Sequence, residues 1–376
     1  MATVAEELSL LPFFSRIARP DLDRAAPRFR RVELTPGEVL WQQGAAVDEL
    51  AIVLVGELRA SVGGNEVGRV RAPDILGEAS AFVAGSERSA TLAAVLPTTL
   101  LALDLPELRT LRWQRSRVYD ALLDLAQRAL VKRVAATNQK VAQLAEGGFA
   151  SPTRREPGAL ARLWRALRPG GPTTPCPPAG PLLRGFPGLR EMEEEVEAEL
   201  VAGLVAEPVS EGQVVVLEGE PGSCLYIVAE GTIEVLRNVR GDRAELLVKL
   251  GPGQQFGANT LIESLPRTAS CVAAGPGWLY RMDREAFEAL RGDARRLWRE
   301  SVLSTLATQL RHANRALERA ARAVGPARAG EREGGGFSEL LRASGYLESL
   351  PAHEAELEEL SFVVDEDARR NPKNRR

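Results

Sequence analysis

Residues 36–40 read Pro-Gly-Glu-Val-Leu, and residues 211–215 repeat the pattern as Glu-Gly-Gln-Val-Val. In each copy a second glycine follows the first after seven residues and a third follows after twelve more, at Gly37, Gly44 and Gly56 and at Gly212, Gly219 and Gly231. A fixed spacing that recurs within one chain is typical of a duplicated unit. The sequence therefore predicts two copies of one domain rather than a single large fold.

Both copies contain short apolar runs separated by glycine. The clearest runs of the first copy are residues 50–55 (Leu-Ala-Ile-Val-Leu-Val) and 98–103 (Thr-Thr-Leu-Leu-Ala-Leu). Many short strands joined by glycine-rich turns favour an antiparallel sandwich or barrel. Residues 106–144 instead carry apolar side chains at steps of three and four, which predicts a long amphipathic helix after the strands. A closing helix is expected over residues 284–323 of the second copy.

A charged motif lies among the strands of the first copy. Residues 77–80 read Gly-Glu-Ala-Ser, and residues 88–90 read Arg-Ser-Ala, starting eleven positions after Gly77. An arginine guanidinium pairs two phosphate oxygens at once, and a turn that starts a helix offers backbone N–H groups to the same anion. Gly77 lets the backbone come close because it has no Cβ. The motif predicts a pocket for a phosphate-bearing ligand, with Arg88 as its anion-binding residue.

In these motifs both copies resemble the cyclic-nucleotide-binding domain, which catabolite-activator regulators share with the regulatory subunits of cyclic-AMP-dependent kinases. The resemblance implies a mainly β fold with flanking helices, a jelly roll (double-stranded β-helix) in each copy, and cyclic AMP or cyclic GMP as the ligand. It also implies that Glu78 accepts the ribose 2′-hydroxyl, that Ser89 stands beside the phosphate and base, and that the helix over 106–144 covers the base. The expected ligand-binding residues are Gly77, Glu78, Ala79, Ser80, Arg88, Ser89 and Ala90.

The second copy keeps the glycine and the arginine of this motif but lacks its carboxylate. Ala258 stands where the first copy has Glu78, and it accepts no hydrogen bond. Leaving a buried ribose hydroxyl unpaired costs about 1–3 kcal/mol. Asn259 and Glu263 are the residues available to compensate. We expect a degenerate second site with a structural or transducing role, made of Gly257, Ala258, Asn259, Arg267, Thr268 and Ala269.

The composition excludes several classes of function. The chain is 44% hydrophobic and 26% charged, with a net charge of −3, which gives no general attraction to nucleic acid. It has no apolar run of about 18 residues, so no membrane span is expected, and its acidic N-terminus predicts a cytoplasmic location. Three cysteines and two histidines at unrelated spacings predict neither a metal site nor a catalytic triad. No cofactor and no enzymatic activity are expected.

These patterns divide the chain into four parts. Residues 1–145 form the domain with the complete motif, and residues 182–323 form the second, degenerate domain. Residues 146–181 are rich in proline and glycine and predict a linker with one short helix at 159–168. Residues 324–376 predict a flexible tail with short helical pieces.

The sequence favours a non-catalytic regulatory protein that senses cyclic AMP or cyclic GMP through its first domain. The change is expected to pass through the long helix and the second domain to a protein partner. The alternative is a scaffold or assembly protein that uses two empty domains for protein contacts. Neither the linker nor the tail predicts a helix-turn-helix, so no specific DNA binding is expected. The sequence leaves open whether the chain forms a homo-oligomer.

Overall fold

The computed structural model describes residues 3–83, 86–146, 153–154, 171–237, 244–263 and 266–324. The described part of the first domain contains five α-helices and eight strands, in the order α1 (Val4–Leu10), α2 (Arg19–Ala25), β1 (Phe29–Leu34), β2 (Val39–Trp41), β3 (Glu49–Val55), β4 (Glu57–Val62), β5 (Asn65–Arg71), β6 (Asp74–Leu76), α3 (Glu78–Ala81), β7 (Thr91–Ala94), β8 (Thr98–Asp104), α4 (Leu105–Trp113) and α5 (Arg117–Glu146).

The described part of the remaining chain repeats this order. Its elements are β9 (Thr153–Arg154), α6 (Ala179–Arg184), α7 (Glu194–Ala202), β10 (Val205–Val209), β11 (Val214–Val216), β12 (Cys224–Glu230), β13 (Ile233–Arg237), β14 (Ala244–Leu250), β15 (Gln255–Phe256), α8 (Ala258–Ile262), β16 (Ser270–Ala273), β17 (Gly277–Asp283), α9 (Arg284–Ala289) and α10 (Gly292–Val324).

Each domain is built from two antiparallel sheets with the same strand order. The first domain has sheets β1-β8-β3-β6 and β2-β7-β4-β5, and the second has β10-β17-β12-β15 and β11-β16-β13-β14, with β9 added beside β14. The central pairs have matching positions, with Ile52 opposite Leu101 in one domain and Ile227 opposite Tyr280 in the other. The prediction of two tandem jelly-roll domains with flanking helices is confirmed.

Strand β3 shows why its sequence is apolar throughout rather than alternating. Leu50 and Ile52 pack into a core shared with the helices, whereas Ala51 and Val53 pack against the second sheet of the domain. Successive side chains of a strand point to opposite faces, so a strand covered on both faces needs apolar residues at every position. The unbroken run therefore marks the layer between the helices and the outer sheet.

The helix expected over residues 106–144 is two helices. The chain breaks between α4 and α5, where Arg115 has a positive φ of 50°. Helix α5 then packs along α10 of the second domain, and Trp298 of α10 is fully buried in the shared core. Glu300 of α10 joins the domains by binding Arg112 (2.6 Å) and the Tyr119 hydroxyl (2.6 Å).

Part of the predicted linker lies along the second domain. Strand β9 pairs with β14 at the edge of its sheet. The carbonyl oxygen of Thr174 accepts a hydrogen bond from Trp278 Nε1 (2.9 Å), and that of Pro177 accepts one from the Tyr280 hydroxyl (2.6 Å). The predicted helix at 159–168 and the predicted tail after residue 324 lie outside the described residues. Among the described helices, none has an apolar stretch long enough to cross a bilayer.

Candidate functional site

The motif of the first domain folds into a short helix entered through a left-handed glycine. Gly77 has a φ of +80°, and a Cβ at this position would lie 2.7 Å from Arg88 Nη1 and 3.1 Å from the ring of Trp41. An L-residue is strained at this φ and has no room here. Helix α3 follows at once and carries Glu78, so the glycine brings the carboxylate and the arginine of the motif to one place.

Arg88 lies at the centre of the folded motif and is only 3% exposed. Its guanidinium lies over the Trp41 ring at 3.5 Å from the centroid, and its Nη2 pairs with Asp48 Oδ1 at 2.8 Å. Burial lowers the pKa of Arg88, and the nearby carboxylates of Asp48 and Glu78 oppose that shift. Its Nε and Nη1 are buried and have no hydrogen-bond partner in the described structure. These N–H groups therefore have unused donor capacity.

Glu78 is the second charged group of the site and is 1% exposed. One carboxylate oxygen pairs with Arg133 of α5, and Arg133 also donates to the carbonyl oxygen of Ile75 at 2.5 Å. Burial raises the pKa of Glu78, and the charge of Arg133 opposes this shift. The other oxygen, Oε2, is buried without a hydrogen-bond partner among the described residues. The site thus offers an unused acceptor as well as unused donors.

Two of the remaining predicted residues, Ser80 and Ser89, tie the motif to neighbouring segments by hydrogen bonds. The hydroxyl of Ser80 donates to the carbonyl oxygen of Glu87 (2.9 Å), which ties α3 to the segment before Arg88. Ala79 is buried at 3% exposure. Ser89 contributes its carbonyl oxygen, which accepts a hydrogen bond from Asn314 Nδ2 at 3.3 Å. Ala90 is half-buried beside it.

Helix α3 is contacted by the long helices of both domains. Arg133 reaches it from α5, whereas Asn314 belongs to α10 of the second domain, which also packs against α3. That the helix over 106–144 covers the base stays a prediction, and the structure adds α10 of the second domain to the surroundings of α3.

A cavity of about 740 Å³ adjoins α3 without including the charged centre. Its lining includes Ser80, Phe82, Tyr119 and Glu300, but neither Glu78 nor Arg88. Because Glu300 and Tyr119 bind each other, this cavity belongs to the contact between the domains. We therefore place the candidate site at the charged residues and not at the larger opening.

The second domain repeats the backbone of the site. Gly257 has a φ of +83°, and a Cβ there would lie 2.5 Å from Arg267 Nη1. Arg267 is 7% exposed and donates to the Gly257 carbonyl oxygen (3.3 Å) and to Cys224 Sγ (3.3 Å). The two arginines, which the sequence spacing predicts to correspond, thus both lie against the left-handed glycine of their own motif. Among the described residues, Arg267 has no carboxylate in ion-pair contact.

One of the two residues predicted to compensate for the missing carboxylate of the second motif is paired elsewhere. Ala258 opens α8 and is half-buried. Glu263, one of the two candidates to compensate, pairs with Arg128 of α5 at 3.2 Å. Asn259 is half-buried, Thr268 is exposed and Ala269 is half-buried. The second site therefore has a cradle and an arginine without the acceptor of the first.

Sequence reasoning missed Trp41, Asp48, Arg133 and Asn314. The repeat held a signal for Asp48, because it lies four residues after Gly44 and the position four residues after Gly219 is Ser223. Because this position is charged in the first copy and neutral in the second, it marks a difference between the two sites. Arg133 and Asn314 gave no such signal, since only the packing of α5 and α10 brings them to the motif.

Comparison with known proteins identifies the domains. The family model of the cyclic nucleotide-binding domain matches residues 31–114 and 206–293. The chain therefore carries two tandem domains of this family. It is also 33% identical over 123 residues to the CRP-like cAMP-activated global transcriptional regulator of Mycobacterium tuberculosis, covering 32% of this chain. The chain spans about half (54%) of that relative's length.

The chain also matches solved structures at low sequence identity and low TM-score. The regulatory domain of Toxoplasma gondii PKA with cAMP is 20% identical, with a TM-score of 0.28 and coverage of 79% of this chain and 94% of the other. A cyclic nucleotide-binding domain from Methylobacillus flagellatus is 22% identical, with a TM-score of 0.32 and coverage of 41% and 84%. At these values we draw no functional conclusion from them.

Proposed function

We propose that this chain is a non-catalytic regulatory protein that binds a cyclic nucleotide in its first domain and transmits binding to its second. One observation carries the proposal: Arg88 has buried, unused N–H donors while Glu78, in the same motif, has a buried, unused acceptor oxygen. Buried polar groups are nearly always paired, so such groups in a native structure call for a ligand or water. A cyclic nucleotide has both complements, an anionic phosphate and a ribose 2′-hydroxyl.

Each group has a defined part in binding. Arg88 meets the phosphate, while its guanidinium lies over the Trp41 ring and its Nη2 is paired with Asp48. Glu78 accepts the 2′-hydroxyl through Oε2 while its other oxygen stays on Arg133. Charge-assisted hydrogen bonds of this kind are roughly twice as strong as neutral ones. The selectivity for a ribonucleotide over simple phosphate then rests on Glu78.

Transmission follows from the contacts of α3. The ligand binds at the start of this helix, and α3 packs against α5 and α10. A ligand shifts a conformational equilibrium only when it binds one state better than another. We propose that the bound state favours one position of α3 against both long helices, which passes the signal to the second domain and from there to a protein partner.

The scaffold alternative has its own support. The second domain lacks the acceptor of the first and buries α10 against α5, which suits a structural part. If neither site binds a nucleotide, the chain is best explained as an assembly protein with two empty domains.

Calorimetric titration of the full chain with cyclic AMP, cyclic GMP and a cyclic dinucleotide separates the two functions. We expect one molecule of a cyclic mononucleotide per chain. Two equal sites would show that the second domain is not degenerate. No heat with any of the three, up to millimolar ligand, would leave the scaffold function.

We also propose that the chain does not bind duplex DNA specifically. The motivation is the net charge of −3 and the lack of a predicted helix-turn-helix. Gel shifts at about 0.15 M salt, with and without cyclic AMP, test this, because specific complexes keep nanomolar affinity there. A sequence-selective shift under those conditions would contradict the proposal.

A further inference from the structure

A second charged cavity lies where α5 and α10 begin. It has a volume of about 430 Å³, and its lining has five arginines and a single carboxylate. Besides Leu123 and Gly292, the lining residues are Arg117, Arg291, Arg295, Arg296, Arg299 and Asp120. The cavity is formed jointly by both domains, and it contains none of the residues of either nucleotide motif.

The surrounding carboxylates neutralise only part of this charge. Arg296 binds Asp120 (3.1 Å) and Asp293 (3.1 Å), and Arg299 binds Asp124. Asp293 is shared further, because it also binds Arg115. These three aspartates are therefore already paired with Arg296, Arg299 and Arg115. The lining arginines that remain are Arg117, Arg291 and Arg295.

The guanidinium groups of these three arginines have no carboxylate partner in the described part of the chain. Arg117 is exposed and Arg295 is half-buried, and neither has an ion pair there. The Arg291 guanidinium donates to the carbonyl oxygens of Glu288 and Leu290, and the Arg291 backbone N–H donates to Glu199 Oε1 at 2.7 Å. Like charges held this close repel one another, and the repulsion grows where water is partly excluded.

Arg299 shows that the cavity is partly shielded from water. It is 9% exposed, and burial lowers its pKa to about 10. Its Nε is buried without a hydrogen-bond partner in the described structure, even though its terminal nitrogen binds Asp124. An unused buried donor on a cation adds to the unbalanced positive charge, and both are relieved by an anion.

The two helix starts add to the same field. Helix α5 begins at Arg117 and α10 at Gly292, and both positions line the cavity. The N-terminus of a helix has a partial positive charge that stabilises nearby anions. Five guanidinium groups and two helix starts therefore surround one small volume.

The geometry points to a binding site for a small, multiply charged phosphate compound at this cavity. Guanidinium groups match phosphate oxygens in shape and hydrogen bonding, and several of them suit a ligand with more than one phosphate. The volume suits a small molecule and not a folded partner. Because Arg117 belongs to α5 and Arg295 to α10, one bound anion would join the two domains at the base of their long helices.

Titration of the full chain with tripolyphosphate at about 0.15 M salt tests the site. We expect one molecule bound per chain. Arg295→Ala and Arg117→Ala each remove a charge-assisted contact and should weaken binding by about 10-fold or more. Arg59→Ala, an exposed charge on β4 outside the cavity, is the matched control and should change binding less than two-fold, which is on the order of 0.4 kcal/mol.

Two further variants separate this site from misfolding and from the nucleotide motif. Asp120→Asn removes the only carboxylate of the lining and should tighten binding by about 3- to 10-fold, a gain that damaged protein would not give. Arg88→Ala should leave tripolyphosphate binding unchanged. No binding by the full chain, or binding that is lost in Arg88→Ala and kept in Arg295→Ala, would overturn the proposal.

Discussion

The two nucleotide motifs have nearly the same backbone and different charges. Gly77 and Gly257 adopt φ values of +80° and +83° and are both blocked from bearing a side chain by the arginine of their own motif. In the first domain the arginine is paired with Asp48, and the helix that follows carries Glu78. In the second, Arg267 is held by a carbonyl oxygen and a thiol. Duplication has kept the cradle, and the two motifs differ in the few side chains placed around it.

The motifs also differ in the helices around them. Helix α3 is contacted by α5 of its own domain and by α10 of the other. Helix α8 packs against α5, and Arg128 joins the two through Glu263. Helix α5 therefore touches both motifs, which makes it the element best placed to link them. The four predictions below test this contrast in order of expected effect.

The largest effect is expected from the charged pair that only the first motif has. Arg133→Met leaves the carboxylate of Glu78 buried without its cation, which typically costs about 3–5 kcal/mol of the free energy of unfolding. Urea unfolding of the full chain measures this loss. The matched control is Arg128→Met on the same helix, whose guanidinium is 57% exposed and should cost less than about 1 kcal/mol. Equal losses would show that the pair of Glu78 and Arg133 has no special weight.

The second prediction compares the two arginines. Arg88→Ala should weaken cyclic-nucleotide binding by roughly 30- to 1000-fold, because it removes charge-assisted contacts worth about 2–4 kcal/mol. Arg267→Ala removes the corresponding residue of the second domain and should change the same affinity little. Calorimetry on the full-length variants measures both. Wild-type affinity in Arg88→Ala would exclude the first motif as the site.

Much of this contrast could be predicted from the sequence, because it depends on local patterns. The glycine spacing revealed the duplication, and the motif around Gly77 and Arg88 located the charged centre of the first domain. Apolar runs such as residues 50–55 identified central strands because both faces of those strands are buried. These features are visible in short segments and need no knowledge of tertiary packing.

The rest could not be predicted, because it depends on contacts between distant segments. Arg133 pairs with a residue 55 positions earlier in the chain, and Asn314 reaches Ser89 across 225 positions. The break at Arg115 was hidden because the apolar periodicity continues on both sides of it. The spacing of apolar residues along one helix does not show which surface of another domain that helix will pack against.

The third prediction tests whether one carboxylate accounts for the weak binding expected of the second site. In the Arg88→Ala background, Ala258→Glu should strengthen cyclic-nucleotide binding by roughly 5- to 30-fold, or about 1–2 kcal/mol. The gain should vanish with the 2′-deoxy analogue, because the new carboxylate acts only on the 2′-hydroxyl. Residue 258 is half-buried and is not paired with Arg133, which binds Glu78 in the first motif. Ala258→Gln adds a side chain of nearly the same size without the negative charge and is therefore the control for size. A gain that ignores the 2′-hydroxyl would contradict the assigned geometry.

The smallest effect is expected from Asp48, whose side chain is 80% exposed although it pairs with the buried Arg88. Its charge repels a phosphate bound to the same guanidinium, and exposed charge interactions are worth about 0.2–1 kcal/mol. Asp48→Asn should therefore tighten binding by about two- to five-fold. Because salt screens exposed charges, the difference should shrink between about 0.1 M and 1 M salt. Ser223→Asp, at the aligned position of the second domain, should leave this affinity unchanged. Weaker binding by Asp48→Asn would show instead that Asp48 acts by orienting Arg88, and the carboxylate would then count as part of the cradle rather than as a competitor of the ligand.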